Sequence, residues 1–250
     1  MTGRLLVLGG TTESASLVRR LAETVPAVDV TLSFAGRTSA RAASPVPVRV
    51  GGFGGVEGLR HYLAERGVQA VIDASHPFAA RMPFNVEAAC RQLQVPRLRL
   101  VRPPWPAGAG DRWTPVGDMA AAARAVERSG ARRVFLTIGR QEVAAFSGPS
   151  TASFVVRAID PPDLAGFTDG EVVLARGPFS LEDELDLLRS RRIDLVVSKN
   201  SGGDATRAKI AAACQLGLTV VMVERPAAPA GLTVASVDDA MAWLSETLGS

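Results

Sequence analysis

Cysteine is scarce in this chain of 250 residues, and long uncharged apolar runs are absent from it. The two cysteines, Cys90 and Cys214, lie far apart in predicted helices, so the sequence has neither a disulfide framework nor the spacing of a zinc site. Because no run of about 18 apolar residues occurs, no membrane span is predicted. The first residues enter a strand pattern at once, unlike a signal peptide. We therefore expect a cytoplasmic protein without a metal site or a membrane partner.

Several catalytic motifs are also missing. The only tyrosine is Tyr62, and the residue four positions later is Arg66, which excludes the Tyr-x-x-x-Lys pair of short-chain dehydrogenases. No G-x-x-x-x-G-K-[ST] loop and no G-x-S-x-G elbow occurs, so a P-loop nucleotide hydrolase and an α/β-hydrolase are excluded. Any catalysis must therefore depend on other side chains or on a cofactor.

Lysine is nearly absent, whereas arginine is abundant. Of the 28 basic residues, all but Lys199 and Lys209 are arginine, and the formal net charge is +3. Arginine binds carboxylates and phosphates through two parallel hydrogen bonds, so the composition suits an anionic ligand. A GC-rich genome would produce the same bias. The arginines are scattered among 25 acidic residues, which argues against a nucleic-acid surface. We expect a monomer that binds a small anionic molecule.

The remaining pattern alternates short β-rich apolar runs with amphipathic helical stretches. Hydrophobic residues make up 47% of the chain, which is typical of a globular protein. The alternation predicts parallel sheets covered by helices. The proline- and glycine-rich stretch 102–116 interrupts it. We therefore predict an α/β protein of two lobes of comparable size, residues 1–101 and 117–250, joined by a linker at residues 102–116.

The first candidate site is the turn after the first predicted strand. Its sequence, Leu-Gly-Gly-Thr-Thr-Glu-Ser, joins a strand to a helix through two glycines, as a phosphate-binding turn does. Glycine lets the backbone approach an anion, and the amides and dipole at the helix N-terminus attract it. The spacing is not a complete G-x-G-x-x-G, so a tight structural turn is the alternative. The predicted cofactor contacts here are Gly9, Gly10, Thr11, Thr12 and Glu13.

The end of the second predicted strand indicates which nucleotide binds. NAD-binding folds place an acid there for the ribose 2′-hydroxyl, but this segment has no acid and contains Arg37. An arginine with neighbouring hydroxyls suits a 2′-phosphate, so we predict NADPH rather than NADH as the cofactor. A solvated loop charge is the alternative interpretation of Arg37. The predicted contacts are Ser33, Ala35, Gly36, Arg37 and Thr38.

Two further turns follow predicted strands of the first lobe. Four glycines in five positions surround Phe53, and such a backbone can lie against the adenosine or diphosphate side of a nucleotide; a flexible turn is the alternative. The turn after strand four carries Ser75 and His76 at the edge where ligands bind in open α/β sheets. Either residue can face the nicotinamide or the substrate. The predicted cofactor contacts here are Gly52, Phe53, Gly54, Ser75, His76 and Pro77.

The second lobe offers two polar turns at strand ends and one unusual lysine. Thr-Ile-Gly-Arg-Gln and Ser-Lys-Asn-Ser-Gly-Gly place small and polar donors before predicted helices, which suits anionic groups. Lys199 lies in the second turn of a chain that otherwise uses arginine, and a lysine can give up a proton where an arginine cannot. The predicted substrate contacts in these turns are Arg140, Gln141, Ser198, Asn200, Ser201 and Gly202, and Arg102, which follows the fifth predicted strand, is a further one.

Seven motifs occur in the order of one known family: GGTTE, SFAGR, GGFGG, DASHPFA, RPPW, TIGRQ and SKNSGG. Together they resemble the precorrin-6A reductases of cobalamin biosynthesis over about residues 4–224, and DASHPFA and SKNSGG are the most specific of them. The resemblance implies two Rossmann-like lobes with parallel sheets covered by helices, in which residues 1–101 bind NADP and residues 117–250 bind the substrate, with the active site in the cleft between them. It also implies NADPH-dependent reduction of a double bond in the precorrin-6A macrocycle, which gives precorrin-6B.

The implied substrate is a tetrapyrrole with many carboxylates, for which arginines such as Arg102 and Arg140 are suited. The cofactor would supply the hydride, and the matching proton would come from Lys199, His76 or water, so Lys199 and His76 are the predicted catalytic residues. Three other interpretations stay open. The substrate can be the cobalt-containing precorrin-6A, the chain can reduce a different small molecule with NADPH, or it can be a non-catalytic NADP-sensing regulator.

Overall fold

The computed structural model describes residues 2–35 and 43–249, which form two α/β units. The first unit comprises Met1–Pro103 together with Ala227–Ser250, and the second comprises Pro104–Pro226. Each unit contains a six-stranded sheet whose strand pairings are all parallel. The prediction of two Rossmann-like lobes with parallel sheets covered by helices is confirmed.

The first unit is built from two separate parts of the chain. Its elements are β1 (Gly3–Leu8), α1 (Thr12–Thr24), β2 (Val28–Phe34), β3 (Val48–Val50), α2 (Gly55–Glu65), β4 (Ala70–Asp73), α3 (Met82–Leu93), β5 (Arg97–Leu100) and, near the C-terminus, β12 (Thr233–Val234) and α7 (Val237–Leu248).

The second unit is continuous in the chain. Its elements are β6 (Arg112–Val116), α4 (Met119–Ser129), β7 (Arg133–Thr137), a 3₁₀ turn (Val143–Phe146), β8 (Ser153–Ala158), β9 (Gly170–Leu174), α5 (Leu181–Ser190), β10 (Leu195–Lys199), α6 (Ala208–Gln215) and β11 (Thr219–Val223). In the described part of the chain, no helix has both the length and the apolar character needed to cross a membrane.

The strand order brings the candidate turns next to each other. The first sheet has the order β12-β5-β4-β1-β2-β3. After β1 the chain forms β2 and β3 on one side of it and then β4 and β5 on the other, so the strand order reverses between β2 and β4. The second sheet has the order β6-β11-β10-β7-β8-β9, which gives β7 the same position between β8 and β10. Ligands of open α/β sheets bind at the carboxyl ends of the strands beside such a reversal. The turns after β1 and β4, and those after β7 and β10, are therefore the places where sites are expected.

The apolar side chains of β1 alternate between two buried faces. Leu5 and Val7 pack with α1 and α7, whereas Leu6 and Leu8 pack with α2 and α3. All four residues are at most 3% exposed. A strand that is buried on both faces has a continuous apolar sequence, which is why β1 was recognisable from the sequence alone.

The structure differs from the expected lobe boundaries in two places. Residues 112–116, expected in a linker, form the edge strand β6, and Ala227–Ser250, expected in the second lobe, belongs to the first unit. There β12 pairs with β5, and α7 buries Ala240 and Leu244 in the core beside α1. An edge strand that contains Pro115 and a two-residue strand carry too little periodicity to be recognised. Only tertiary packing shows which sheet α7 covers.

Candidate functional site

The two glycines of the turn between β1 and α1 have different roles. A Cβ added to Gly9 would lie 2.7 Å from Cδ1 of Leu32 and 3.1 Å from Cε1 of Phe34, so these packed side chains would have to shift to admit it. Gly10 has a φ of +128°, which side chains rarely adopt, and no atom lies within 4 Å of the position that its Cβ would take. Packing therefore requires Gly9, whereas Gly10 leaves open space beside its backbone. An anion can approach the turn through that space.

Hydrogen bonds hold this turn in place and connect it to the end of β4. Oγ1 of Thr11 accepts the N–H of Ser14 at 3.1 Å, and Oγ of Ser14 accepts the N–H groups of Gly10 and Thr11 at 3.2 Å each. The Thr11 hydroxyl also donates to the carbonyl of Ala74 at 3.0 Å. Ser14 is not among the predicted site residues, although the Thr-x-x-Ser pattern at the start of a helix is a signal for such reciprocal capping. The turn is thus preformed.

Glu13 and Arg102 form an ion pair at the first turn of α1. Nη1 of Arg102 donates to Oε2 of Glu13 at 2.7 Å. The side chain of Arg102 is 14% exposed and that of Glu13 is 19% exposed. Burial alone would raise the pKa of the Glu13 carboxyl, but its own backbone N–H and Arg102 hold this pKa below its usual value. The sequence predicts Arg102 as a substrate contact, whereas the structure pairs it with a predicted cofactor contact.

Arg49 organises the region beyond β2, although it is not among the predicted site residues. Its Nη1 donates to Oγ of Ser33 at 3.4 Å and to the carbonyl of Gly51 at 2.5 Å. Its Nη2 donates to the carbonyl of Gly52 at 2.8 Å. The guanidinium carbon lies 3.8 Å from the ring centre of Phe53. An arginine inside a three-residue strand belongs to no recognisable motif, so no sequence signal could have indicated it.

The predicted 2′-phosphate contacts fall on a part of the chain that the structure does not describe. Gly36, Arg37 and Thr38 lie outside the described residues, and Ala35 is the last described residue before them. The role of Arg37 therefore stays a prediction. Among the described residues, Arg49 places its guanidinium near Ser33, at the end of β2.

Phe53 and the glycines beside it lead into α2. Gly54 is the N-cap residue of this helix with a φ of +85°, and no atom lies within 4 Å of the Cβ positions of Gly52 and Gly54. The ring of Phe53 packs edge-on against Tyr62, with the ring centres 5.1 Å apart. Phe53 is thus held by its neighbours, and the glycine backbone beside it faces open space.

The turn after β4 contains an unpaired hydroxyl and an oriented imidazole. Oδ1 of Asp73 accepts the N–H of Ser75 at 3.0 Å, and Oγ of Ser75 is buried with no hydrogen-bond partner among the described residues. Nδ1 of His76 accepts the N–H of Phe78 at 3.2 Å. This bond requires an unprotonated Nδ1, so the neutral ring carries its proton on Nε2. Pro77 is buried.

In the second unit, the turn after β10 is attached to the segment that begins the unit. Oδ1 of Asn200 accepts the N–H of Trp105 at 2.8 Å, and its Nδ2 donates to the carbonyl of Trp105 at 3.1 Å. The indole N–H of Trp105 donates to the carbonyl of Gly203 at 2.8 Å. Both polar atoms of the Asn200 side chain are thus engaged. The sequence predicts Asn200 as a substrate contact, but in the structure its side chain positions the turn.

Arg225 supports the same turn from the strand β11 side. Its Nε donates to the carbonyl of Asn200 at 2.9 Å, and its Nη2 donates to the carbonyl of Ser201 at 3.0 Å. Gly202 follows with a φ of +69°. The structure places Ser198 inside the sheet with no exposed surface, so its side chain is part of the strand packing rather than of the open edge. Arg225 lies in none of the sequence motifs and is not among the predicted site residues.

Lys199 forms an ion pair with Glu142. Nζ of Lys199 contacts Oε2 of Glu142, and the two side chains are 16% and 35% exposed. Glu142 follows β7, and because β7 and β10 are neighbours, the pair lies at one sheet edge. Arg140 lies 3.8 Å from the carboxylate of Asp160 in the same region, and Gln141 is exposed. Glu142 is not among the predicted site residues, although it directly follows the TIGRQ motif.

The described ranges 2–35 and 43–249 contain no group of three or more histidine, cysteine, aspartate or glutamate side chains that could hold a metal ion.

The chain is similar over nearly its whole length to one group of reductases. A family model described as "Precorrin-6x reductase CbiJ/CobK" matches residues 4–245. A protein of Rhodobacter capsulatus named precorrin-6A reductase is 48% identical over 244 residues, which cover 97% of this chain and 96% of the relative. A protein of Methanothermobacter thermautotrophicus named cobalt-precorrin-6A reductase is 28% identical over 241 residues, which cover 89% of this chain and 76% of the relative. A solved structure described as CobK precorrin-6A reductase has a TM-score of 0.91 and 47% identity, covering 99% of this chain and 97% of that chain.

Proposed function

Since the chain belongs to the precorrin-6x reductase CbiJ/CobK family, we propose that it reduces precorrin-6A to precorrin-6B with NADPH. The observation that carries this proposal is the identity of 48% to a precorrin-6A reductase over almost the full length of both chains. Identity to the cobalt-precorrin-6A reductase of Methanothermobacter thermautotrophicus is lower, at 28%, which favours the metal-free substrate. The open glycine turn after β1 supports the nucleotide requirement of this reaction.

The residues of the first unit fit a dinucleotide. The open backbone at Gly10 and the positive end of α1 suit a diphosphate. Because Thr11 and Ser14 hold the turn in one conformation, binding costs little conformational entropy there. Arg37 and Arg49 are the cations that would hold the 2′-phosphate. When bound, the nicotinamide cofactor supplies the hydride.

The polar edge of the second unit supplies the remaining groups. Glu142 limits the positions of the Lys199 ammonium, which we assign as the proton donor to the reduced macrocycle. His76, with its proton on Nε2, is the second candidate donor. Arg140 and Gln141 are the proposed contacts of the substrate carboxylates. The side chain of Asn200 holds the turn after β10 in place, and we do not propose it as a direct contact.

The experiment that tests this proposal adds precorrin-6A to the purified protein with NADPH and follows the loss of NADPH absorbance. We expect consumption of NADPH and a product heavier by one hydride and one proton. Parallel reactions with NADH and with cobalt-precorrin-6A test the cofactor and the form of the substrate. Binding of NADPH without consumption in any of these mixtures would reject reduction of either form of precorrin-6A, and would agree with an NADP-sensing regulator or with a reductase of another small molecule.

A further inference from the structure

Asp73 and Arg99 lie side by side at the carboxyl edge of the first sheet. They are register partners on β4 and β5, and they are only 3% and 8% exposed. Their strand neighbours Ile72 and Leu98 pack in the cluster that contains α1 and α7. Because successive side chains of a strand point to opposite faces, Asp73 and Arg99 face the other side, which α2 and α3 cover. Neither residue is among the groups that we assign to the diphosphate, the 2′-phosphate or proton donation.

Both residues retain unused hydrogen-bonding capacity. The backbone N–H of Arg99 donates to Leu232, but its guanidinium makes no hydrogen bond or ion pair with any residue in the described ranges. Asp73 uses Oδ1 for the N–H of Ser75, and the Ser75 hydroxyl is itself buried without a described partner. Arg99 as a whole is more than nine-tenths buried, so its guanidinium keeps little contact with water, and the Oγ of Ser75 is fully buried. A polar ligand group would compensate for this lost hydration. The arrangement therefore indicates a ligand group at this edge.

The strand order shows which part of a dinucleotide reaches these residues. With the diphosphate at the turn after β1 and the adenosine towards β2 and β3, the other half extends across the ends of β4 and β5. The bond from Thr11 to the carbonyl of Ala74 joins the two turns along this path. The nicotinamide half is thus the part of the cofactor that would reach Asp73, Ser75 and Arg99.

We propose that Arg99, Asp73 and Ser75 recognise the carboxamide of the nicotinamide ring, an inference that rests on the proposed nucleotide site. A primary carboxamide has a carbonyl that accepts hydrogen bonds and an NH₂ group that donates them. The guanidinium of Arg99 complements the first and the carboxylate of Asp73 complements the second. An anionic group would be attracted to Arg99 but repelled by Asp73, so the pair suits a neutral group with both functions. The Ser75 hydroxyl can donate or accept.

The first test compares the Kd values of two probes, NADP⁺ and 2′-phospho-ADP-ribose, which lacks the nicotinamide. Arg99→Met should weaken binding of NADP⁺ about tenfold to a hundredfold and leave 2′-phospho-ADP-ribose unchanged. The control is Arg97→Met, because Arg97 lies on the same face of β5 and its guanidinium donates to the carbonyl of Ala230 instead. It should change neither Kd. Equal losses for both probes with Arg99→Met would show a structural role, and no loss for either would also overturn the assignment.

The second test needs no variant of Arg99. The 3-acetylpyridine analogue of NADP⁺ carries a methyl group in place of the NH₂ group, so the wild-type protein should bind it about tenfold more weakly than NADP⁺. Asp73→Asn should reduce this discrimination, because an amide NH₂ then faces the ligand. Equal wild-type affinity for NADP⁺ and the analogue overturns the inference. Failure of the wild-type protein to bind either NADP⁺ or 2′-phospho-ADP-ribose would instead reject the proposed nucleotide site.

Discussion

Glu13 and Arg102 lie 2.7 Å apart at the first turn of α1, although 89 positions separate them in the sequence. A carboxylate at this place is favoured by the helix dipole but would repel the diphosphate that we propose to bind beside it. Arg102 offsets that repulsion because its guanidinium is paired with the carboxylate. The pair therefore connects the RPPW segment to the nucleotide turn of the first unit.

Replacing Arg102 should weaken nucleotide binding through Glu13. We expect Arg102→Met to raise the Kd of NADPH about tenfold or more, because it leaves a partly buried carboxylate unpaired next to the diphosphate. The double variant Glu13→Gln with Arg102→Met should recover most of the affinity. A fluorescence titration with NADPH, without tetrapyrrole, measures both. Normal NADPH binding by Arg102→Met with weakened tetrapyrrole binding would identify Arg102 as the substrate contact that the sequence predicts.

The low pKa of Glu13 predicts a pH dependence of stability. A carboxyl whose pKa is lower in the folded state stabilises the fold above its unfolded pKa, and this stabilisation is lost as the pH falls through the folded value. The wild-type protein should therefore lose more stability than Glu13→Gln as the pH falls from about 6 to about 3. Urea unfolding across this range measures the free energy of unfolding of both proteins. Parallel pH profiles would contradict the prediction.

Adding a side chain at Gly10 should abolish nucleotide binding. Gly10→Val places a branched side chain in the open space beside the turn and forces it into a strained φ of +128°. We expect a folded protein by circular dichroism with no measurable binding of NADPH. The matched control is Gly117→Val, because Gly117 also faces open space but has no strained φ and lies before α4. Normal NADPH affinity of a folded Gly10→Val would show that the turn is only structural.

Arg37 should determine the preference for NADPH over NADH. Arg37→Ala removes a charge-assisted contact with the 2′-phosphate, so we expect about tenfold to a hundredfold weaker binding of NADPH and unchanged binding of NADH. Dissociation constants for both nucleotides decide the question. Arg49→Met serves as a comparison, because Arg49 also holds the carbonyls of Gly51 and Gly52 and its loss should affect both nucleotides. Equal losses with Arg37→Ala would count against the assignment.

Replacing Lys199 by arginine should slow the reaction rather than weaken binding. Lys199→Arg retains the positive charge opposite Glu142 but removes the proton that can be transferred. We expect a large loss of the single-turnover rate of hydride transfer at saturating NADPH and substrate, with near-normal dissociation constants. Glu142→Gln, which leaves the lysine in place, should reduce the rate less. An unchanged rate in Lys199→Arg would leave His76 or water as the proton donor.

The amino-acid sequence by itself determined the fold class and the positions of the candidate turns. The apolar runs of the buried strands, and the glycine or polar turns that follow them, are local features within a few residues. The first turn is an example, because Gly9, Gly10 and Thr11 are recognisable as a strand-to-helix connection without knowledge of any distant residue. The order of seven such motifs was sufficient to indicate the family.

Only the tertiary structure decided which residues act together. Asn200 and Trp105 are 95 positions apart, and their reciprocal hydrogen bonds connect a predicted substrate contact to the segment that begins the second unit. Lys199 meets Glu142 because β10 lies beside β7, and α7 joins the first unit because its apolar face completes that core. The register of β4 and β5 places Arg99 beside Asp73. These relationships depend on which strands are neighbours and which faces are buried, and such long-range packing leaves no periodic signal along the chain.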